Sequence, residues 1–322
     1  MKHTIKHLET NGLITEAFAS ELKTYQSNKP MSIFWHIRTL MYMGVTLLAT
    51  GLGTVIYKNI DTIGHVTIVG IIGLLSAGCF YYCYKNAATF QPDKWASPNT
   101  WFDYILLLGV LLFLTFEGYL QYQYNIFGDR YGLATIIPAA VIFALAYRFD
   151  HLGLLSMGIT LFASWLGITL TPKSLLMEST FSDVDAVQAG LILCVILLGA
   201  GYLGASKNFK KHFDFTYYNF GFHLGAIAVL VATFNFKLGW LWIFLIAPLV
   251  AGAFYYAKMN KSFYALLCAF IYSYIAVTYL IIKGCISMGA DSILWAYLLL
   301  MYFIGSSIFA IQFLRRTYKQ MI

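Results

Sequence analysis

Glu117, in Leu114-Thr115-Phe116-Glu117-Gly118-Tyr119-Leu120-Gln121, is the one acidic residue that falls deep inside a long apolar run. A charged side chain at membrane depth costs about 2.5–3.5 kcal/mol on insertion scales, so it must face protein or water. There a carboxyl group can hold a proton, bind a ligand or hydrogen-bond a neighbouring helix. Counted from Trp101 it sits about 24 Å along its helix, nearer one leaflet than the midplane. Gln121 and Tyr124 follow on the same face. His223 is the second candidate, about 14 Å into a helix that starts at Asp214, with Asn219 one turn earlier. An imidazole can relay a proton, and an interhelical hydrogen bond is its structural alternative. If their helices meet, Glu117, Gln121, Asn219 and His223 line one polar ligand or proton pathway.

Other motif matches fail on context. Gly199-Ala200-Gly201-Tyr202-Leu203-Gly204 spells GxGxxG, but it ends an apolar helix instead of following a strand, so close helix packing is its expected role. Gly221 with Gly225, and Gly73 with Ala77, have the same small-residue spacing. Cys79 and Cys83 lack the His or carboxylate neighbours of a metal site, and all five cysteines read as small buried hydrophobes. Ser20-Glu21-Leu22-Lys23 matches SxxK without its companion motifs. No nucleophile, base and electrophile converge by spacing. The sequence therefore predicts no enzyme, no catalytic residue, no cofactor and no metal.

The elements that must position these residues follow from composition. At 60% hydrophobic and 11% charged, the 322 residues depart from the usual balance of a soluble globule. The expected fold is all-α and polytopic, with ten spans at about 39–57, 64–84, 101–122, 130–147, 151–170, 184–204, 214–234, 238–257, 262–282 and 291–312. The net charge of +7 does not imply nucleic acid, because the basic residues flank apolar segments, where they orient the chain and meet anionic headgroups. Alternate loops hold sixteen Lys and Arg on one side, Lys85, Lys94, Arg148, Lys207, Lys210 and Lys211 among them, against five on the other. That asymmetry places both termini in the cytoplasm. The polar opening segment is expected to hold no cleavable signal. Trp35, Trp101, Tyr81, Tyr82, Tyr84, Tyr255 and Tyr256 fall at inner helix ends, and Trp240, Trp242, Tyr122 and Tyr124 at outer ends, as interfacial anchors. Asp103, Asp214 and Asp291 are expected helix caps.

Trp101-Phe102-Asp103-Tyr104 opens the third span and His212-Phe213-Asp214-Phe215 the seventh, each just after a basic loop. Pro138 and Pro248 recur inside the fourth and eighth spans, one place short of the same offset. The sequence thus divides into a cytoplasmic helical hairpin and interfacial lead-in (1–37), two leading helices (38–100), and two parallel four-helix units (101–211 and 212–322). Parallel repeats are one way to build a transporter.

Residues 4–27 read as two short helices around Asn11-Gly12, with Ile14, Phe18, Leu22 and Tyr25 forming an apolar stripe that calls for a protein partner at residues 1–30. Ile33, Phe34, Trp35 and Ile37 then form an interfacial lead-in. Leu8-Glu9-Thr10-Asn11-Gly12-Leu13-Ile14-Thr15-Glu16-Ala17 resembles the opening of the domain-of-unknown-function 2157 family of bacterial polytopic membrane proteins. The resemblance implies a bacterial inner-membrane location and carries no activity with it. Two functions compete: a transporter or permease-like protein with a polar intramembrane site, and a non-catalytic assembly or interaction subunit of a membrane complex.

Overall fold

The computed structural model describes residues 14–15, 17–18, 20–21, 34–99, 101–128, 130–170, 184–236, 239–287 and 293–321. The expected hairpin over 4–27 lies almost wholly outside them, as do Asp291 and the loop carrying Lys173. Ten α-helices and no strand occur among the described residues: α1 (Phe34–Ile63), α2 (His65–Asn86), α3 (Phe102–Tyr124), α4 (Leu133–Phe149), α5 (Leu152–Leu170), α6 (Val184–Ser206), α7 (Asp214–Asn235), α8 (Gly239–Met259), α9 (Phe263–Ser287) and α10 (Ile293–Met321). Each expected span coincides with one helix. Seven of the ten, α2, α3 and α6 to α10, are long and apolar enough to cross a membrane, while α4 and α5 are apolar but short over their described stretches. The chain divides into two compact units, Met1–Ile60 and Asp61–Ile322.

In the first unit α1 is continuous from Phe34, so the expected interfacial lead-in at Phe34, Trp35 and Ile37 is already part of the helix. Thr46, Thr50 and Thr54 each return their hydroxyl to a carbonyl one turn back, at 3.2, 2.9 and 3.1 Å. Such bonds hide the polar groups of a helix that is otherwise less apolar than its length suggests.

In the second unit α7 is the central helix, with more than half of its apolar stretch buried. Its main partner is α6, and glycines make their approach possible. A Cβ on Gly190 would lie 2.9 Å from Ala228 Cβ, one on Gly201 3.0 Å from Tyr217 Cβ, and one on Gly221 3.2 Å from Leu197 Cβ. Small residues let backbones close up where lipid supplies no hydrophobic drive between helices. Helices α3, α4, α5, α6 and α7 share one apolar core that includes Phe102, Leu106, Val110, Ile142, Leu155, Ile159, Leu197 and Phe213. A second core joins α7, α8 and α9 through Phe222, Ala253, Leu266 and Ala269.

The turns α4–α5 and α8–α9 have one design. Asp150 (φ 57°) and Lys261 (φ 49°) adopt the left-handed conformation that ends each helix. His151 N–H then bonds Ala146 O at 3.1 Å and Ser262 N–H bonds Ala257 O at 3.0 Å. The same two residues cap the next helix, His151 Nδ1 accepting from Leu154 N–H at 3.1 Å and Ser262 Oγ from Ala265 N–H at 3.3 Å. Every position in this correspondence keeps the register that pairs Trp101 with His212, so Pro138 and Pro248 sit one place out of the register of the turns. Ala146, Leu154 and Leu155 and their counterparts Ala257, Ala265 and Leu266 are all fully buried.

The α3 N-terminus corrects one expectation. Its N-cap position is Trp101, which makes no side-chain cap bond; Asp103 lies in the first turn, as Asp214 does in α7, and accepts from Ser97 Oγ, while Asn99 Oδ1 accepts Phe102 N–H at 2.9 Å ahead of the helix. Among the expected anchors, Trp35, Trp101, Tyr81, Tyr84, Tyr122, Tyr124, Tyr255 and Trp240 are exposed. Tyr82, Tyr256 and Trp242 instead serve packing or hydrogen bonding: Tyr256 stacks on Tyr218 at 3.9 Å, Trp242 meets Phe236 edge-on, and Tyr82 Oη accepts from Asn99 Nδ2.

Candidate functional site

On α3, Glu117 shares the inward face of Leu106 and Val110 by helical spacing. Its Oε1 is buried and has no hydrogen-bond partner among the described residues. Gln121, one turn on, is fully committed to the loop that follows. Its Oε1 accepts Phe127 N–H at 2.9 Å, and its Nε2 donates to Asn125 Oδ1 at 3.0 Å and to Gly128 O at 3.3 Å. The left-handed Asn125 ends the helix there, so Gln121 works as a clamp for the α3–α4 turn. At the start of α2, His65 Nδ1 meets Tyr119 Oη across the α2–α3 pair.

On α7, Asn219 and His223 do come together, through tyrosines of α9. Tyr264 Oη donates to Asn219 Oδ1 at 2.7 Å and lies 2.9 Å from His223 Nε2. Tyr272 Oη is 2.7 Å from His223 Nδ1. Tyr264 spends its proton on Asn219, so it accepts from Nε2–H; with a neutral imidazole, Tyr272 donates to Nδ1. In that arrangement the chain runs one way, Tyr272 to His223 to Tyr264 to Asn219. It ends on an amide oxygen, which accepts a proton bond and passes none on. Cys268 Sγ lies 3.9 Å from Nε2, and the buried Tyr218 hydroxyl nearby has no partner among the described residues.

The two halves of the candidate set are separate. Every hydrogen bond of Gln121 stays in the α3–α4 turn, and the Asn219–His223 chain turns to α9. The pair at spacing four on α7 was legible; its tyrosine partners, 41 and 49 residues away, carry no sequence signal.

A third constellation lies at the ends of the helices. The Asp150 carboxylate, 1% exposed, accepts Trp95 N–H at 2.5 Å, pairs with Lys210 Nζ at 3.4 Å and bonds His212 Nε2. Lys210, 2% exposed, also donates its backbone N–H to Pro92 O at 2.8 Å and covers the Phe90 ring at 5.3 Å. Tyr147 and Tyr217 close the adjoining wall, Oη to Oη at 2.8 Å. Lys210 is thus an internal counter-ion, where charge counting had placed it toward headgroups. This knot joins the α2–α3 loop, the α4–α5 turn and the α6–α7 loop, so three loops assigned to one side by their basic residues do lie at one end. A buried ion pair so enclosed holds these loops together, and removing one partner of such a pair costs about 3–5 kcal/mol.

Among the described residues no group of three His, Cys, Asp or Glu side chains is placed to hold a metal ion. No curated protein and no solved structure matches the chain. The recognition made on the hairpin residues holds over the first part of the chain: residues 6–155 match the model of the family described as predicted membrane protein (DUF2157).

Proposed function

We propose that this multi-pass membrane protein is transporter- or permease-like, without enzymatic activity, and that Glu117 is its functional carboxyl group. One observation carries the reading. A structural role for Glu117 requires a hydrogen-bonding neighbour, yet its buried Oε1 has none among the described residues. Leaving a buried acceptor unsatisfied costs about 1–3 kcal/mol, more if the group is charged, so the site has unused capacity for a proton or a ligand. The matching α4–α5 and α8–α9 turns support the reading, since parallel repeats recur among transporters. Asn219 and His223, already satisfied by Tyr264 and Tyr272, serve in it as a pin between α7 and α9. The protein resides in a bacterial inner membrane with both termini cytoplasmic, an orientation supported by the basic loops gathered at one end.

The test is reconstitution into proteoliposomes containing a pH-sensitive dye. Wild-type protein dissipates an imposed proton gradient faster than empty liposomes, and Glu117→Gln abolishes the difference while folding to the same thermal stability. Equal dissipation by wild type and variant overturns the assignment of Glu117.

An assembly role is favoured by one feature only: none of the residues in the Tyr297–Thr317 stretch of α10 is buried. That reading requires a co-purifying protein that is lost when residues 1–30 are deleted.

A further inference from the structure

We infer that a cavity of about 410 Å³ at the basic end of the second unit, lined by Lys211, His212, Asp214, Tyr256, Asn260 and Ser262, binds a phosphate group. Its size falls within the range of small-ligand sites. Lys211 lines it, and three more exposed lysines stand near it in sequence, Lys207 and Lys261 in the loops on either side and Lys258 in the last turn of α8, which makes this end of the unit positive. Asp150 holds the His212 ring by Nε2, which fixes the imidazole in the wall of the cavity. Asn260 and Ser262 add an amide and a hydroxyl. The single carboxylate of the wall, Asp214, is engaged by the Tyr256 hydroxyl and lies beside Lys211.

The matching turn of the same chain carries different side chains at the positions that line this cavity. At the α4–α5 turn, Phe149 stands in the place of Asn260, and it is buried edge-on against Phe102 at 5.7 Å. Leu145 stands for Tyr256. One frame thus carries apolar side chains, Phe149 buried among them, where the other lines its cavity with polar ones. The phosphate can belong to a phospholipid headgroup or to a soluble molecule, because the cavity opens at the ends of membrane-crossing helices.

The two sources are separated with purified wild-type protein and the variants Lys211→Ala and Asn260→Phe, the latter importing the apolar side chain of the α4–α5 turn without changing charge. Binding is measured in phosphatidylcholine nanodiscs with and without phosphatidylglycerol, by native mass spectrometry of retained lipid, and with inorganic phosphate by calorimetry. Thermal melting checks that each variant is folded. Selective retention of phosphatidylglycerol, weakened about tenfold or more in both variants, is expected and assigns a lipid headgroup. Phosphate binding with the same sensitivity, and no lipid selectivity, assigns a soluble ligand. If wild type binds neither probe, or if folded Asn260→Phe binds as wild type does, the inference is overturned. Asp214→Asn gives an independent sign: tighter binding agrees with an anionic ligand, and weaker binding by a folded variant refutes it.

Discussion

Gly225→Ala is expected to loosen the α6–α7 pair, and the size of the effect follows from three distances. A Cβ at this position lies 2.5 Å from Cys194 Sγ, 3.0 Å from Cys194 Cβ and 3.4 Å from Leu249 Cδ1. Carbon atoms prefer separations of about 3.5–4.0 Å, so the sulfur contact alone demands relief of about 1 Å. The thiol can rotate away, but the Cβ contact is tied to the backbone of α6, and Cys194 is 3% exposed with little space beside it. Overpacking of this kind costs about 1–3 kcal/mol, against which alanine's better helix propensity returns about 0.8–1 kcal/mol. The net loss expected is about 0–2 kcal/mol, so the comparison with the Cys194→Ala background decides. Reversible denaturation in mixed detergent micelles, followed by near-ultraviolet dichroism, measures it. Gly199→Ala is the control, since nothing lies within 4 Å of its added Cβ, and it should be neutral or stabilising. In the Cys194→Ala background the penalty of Gly225→Ala should fall by about 0.5 kcal/mol or more, the coupling expected of residues in contact. An effect of Gly225→Ala that is identical in both backgrounds refutes the packing reasoning.

Three further outcomes follow from the polar residues. Asp150→Asn keeps a residue tolerant of the left-handed conformation and an acceptor for Trp95 N–H, but strands the buried Lys210; denaturation should show a loss of about 3–5 kcal/mol, and an unchanged stability would mean that the cation escapes to solvent. Tyr264→Phe removes the bond to Asn219 and the acceptor for His223 Nε2–H, so the imidazole resonance of His223 in nuclear magnetic resonance should shift while Tyr272→Phe perturbs the opposite nitrogen. Glu117→Gln should leave stability within about 1 kcal/mol of wild type, because no bond is broken; a larger loss would reveal a structural partner.

Hydropathy alone located the helices. The expected 64–84 and 184–204 became His65–Asn86 and Val184–Ser206, because twenty apolar residues in lipid have few ways to satisfy their backbone except a helix. The register of the two matching turns was visible in Trp101 to Tyr104 against His212 to Phe215, and the spacing of Asn219 and His223 already put them on one face. Which polar groups meet was decided by packing. Lys210 looked like a loop cation until Asp150, buried at the end of another helix, claimed it; Gln121 looked like part of a pathway until its turn absorbed every bond it could make. Periodicity reports which residues share a face of their own helix. The neighbour across that face depends on how closely glycines such as Gly201, Gly221 and Gly225 let two backbones approach, and that is a property of shape in three dimensions.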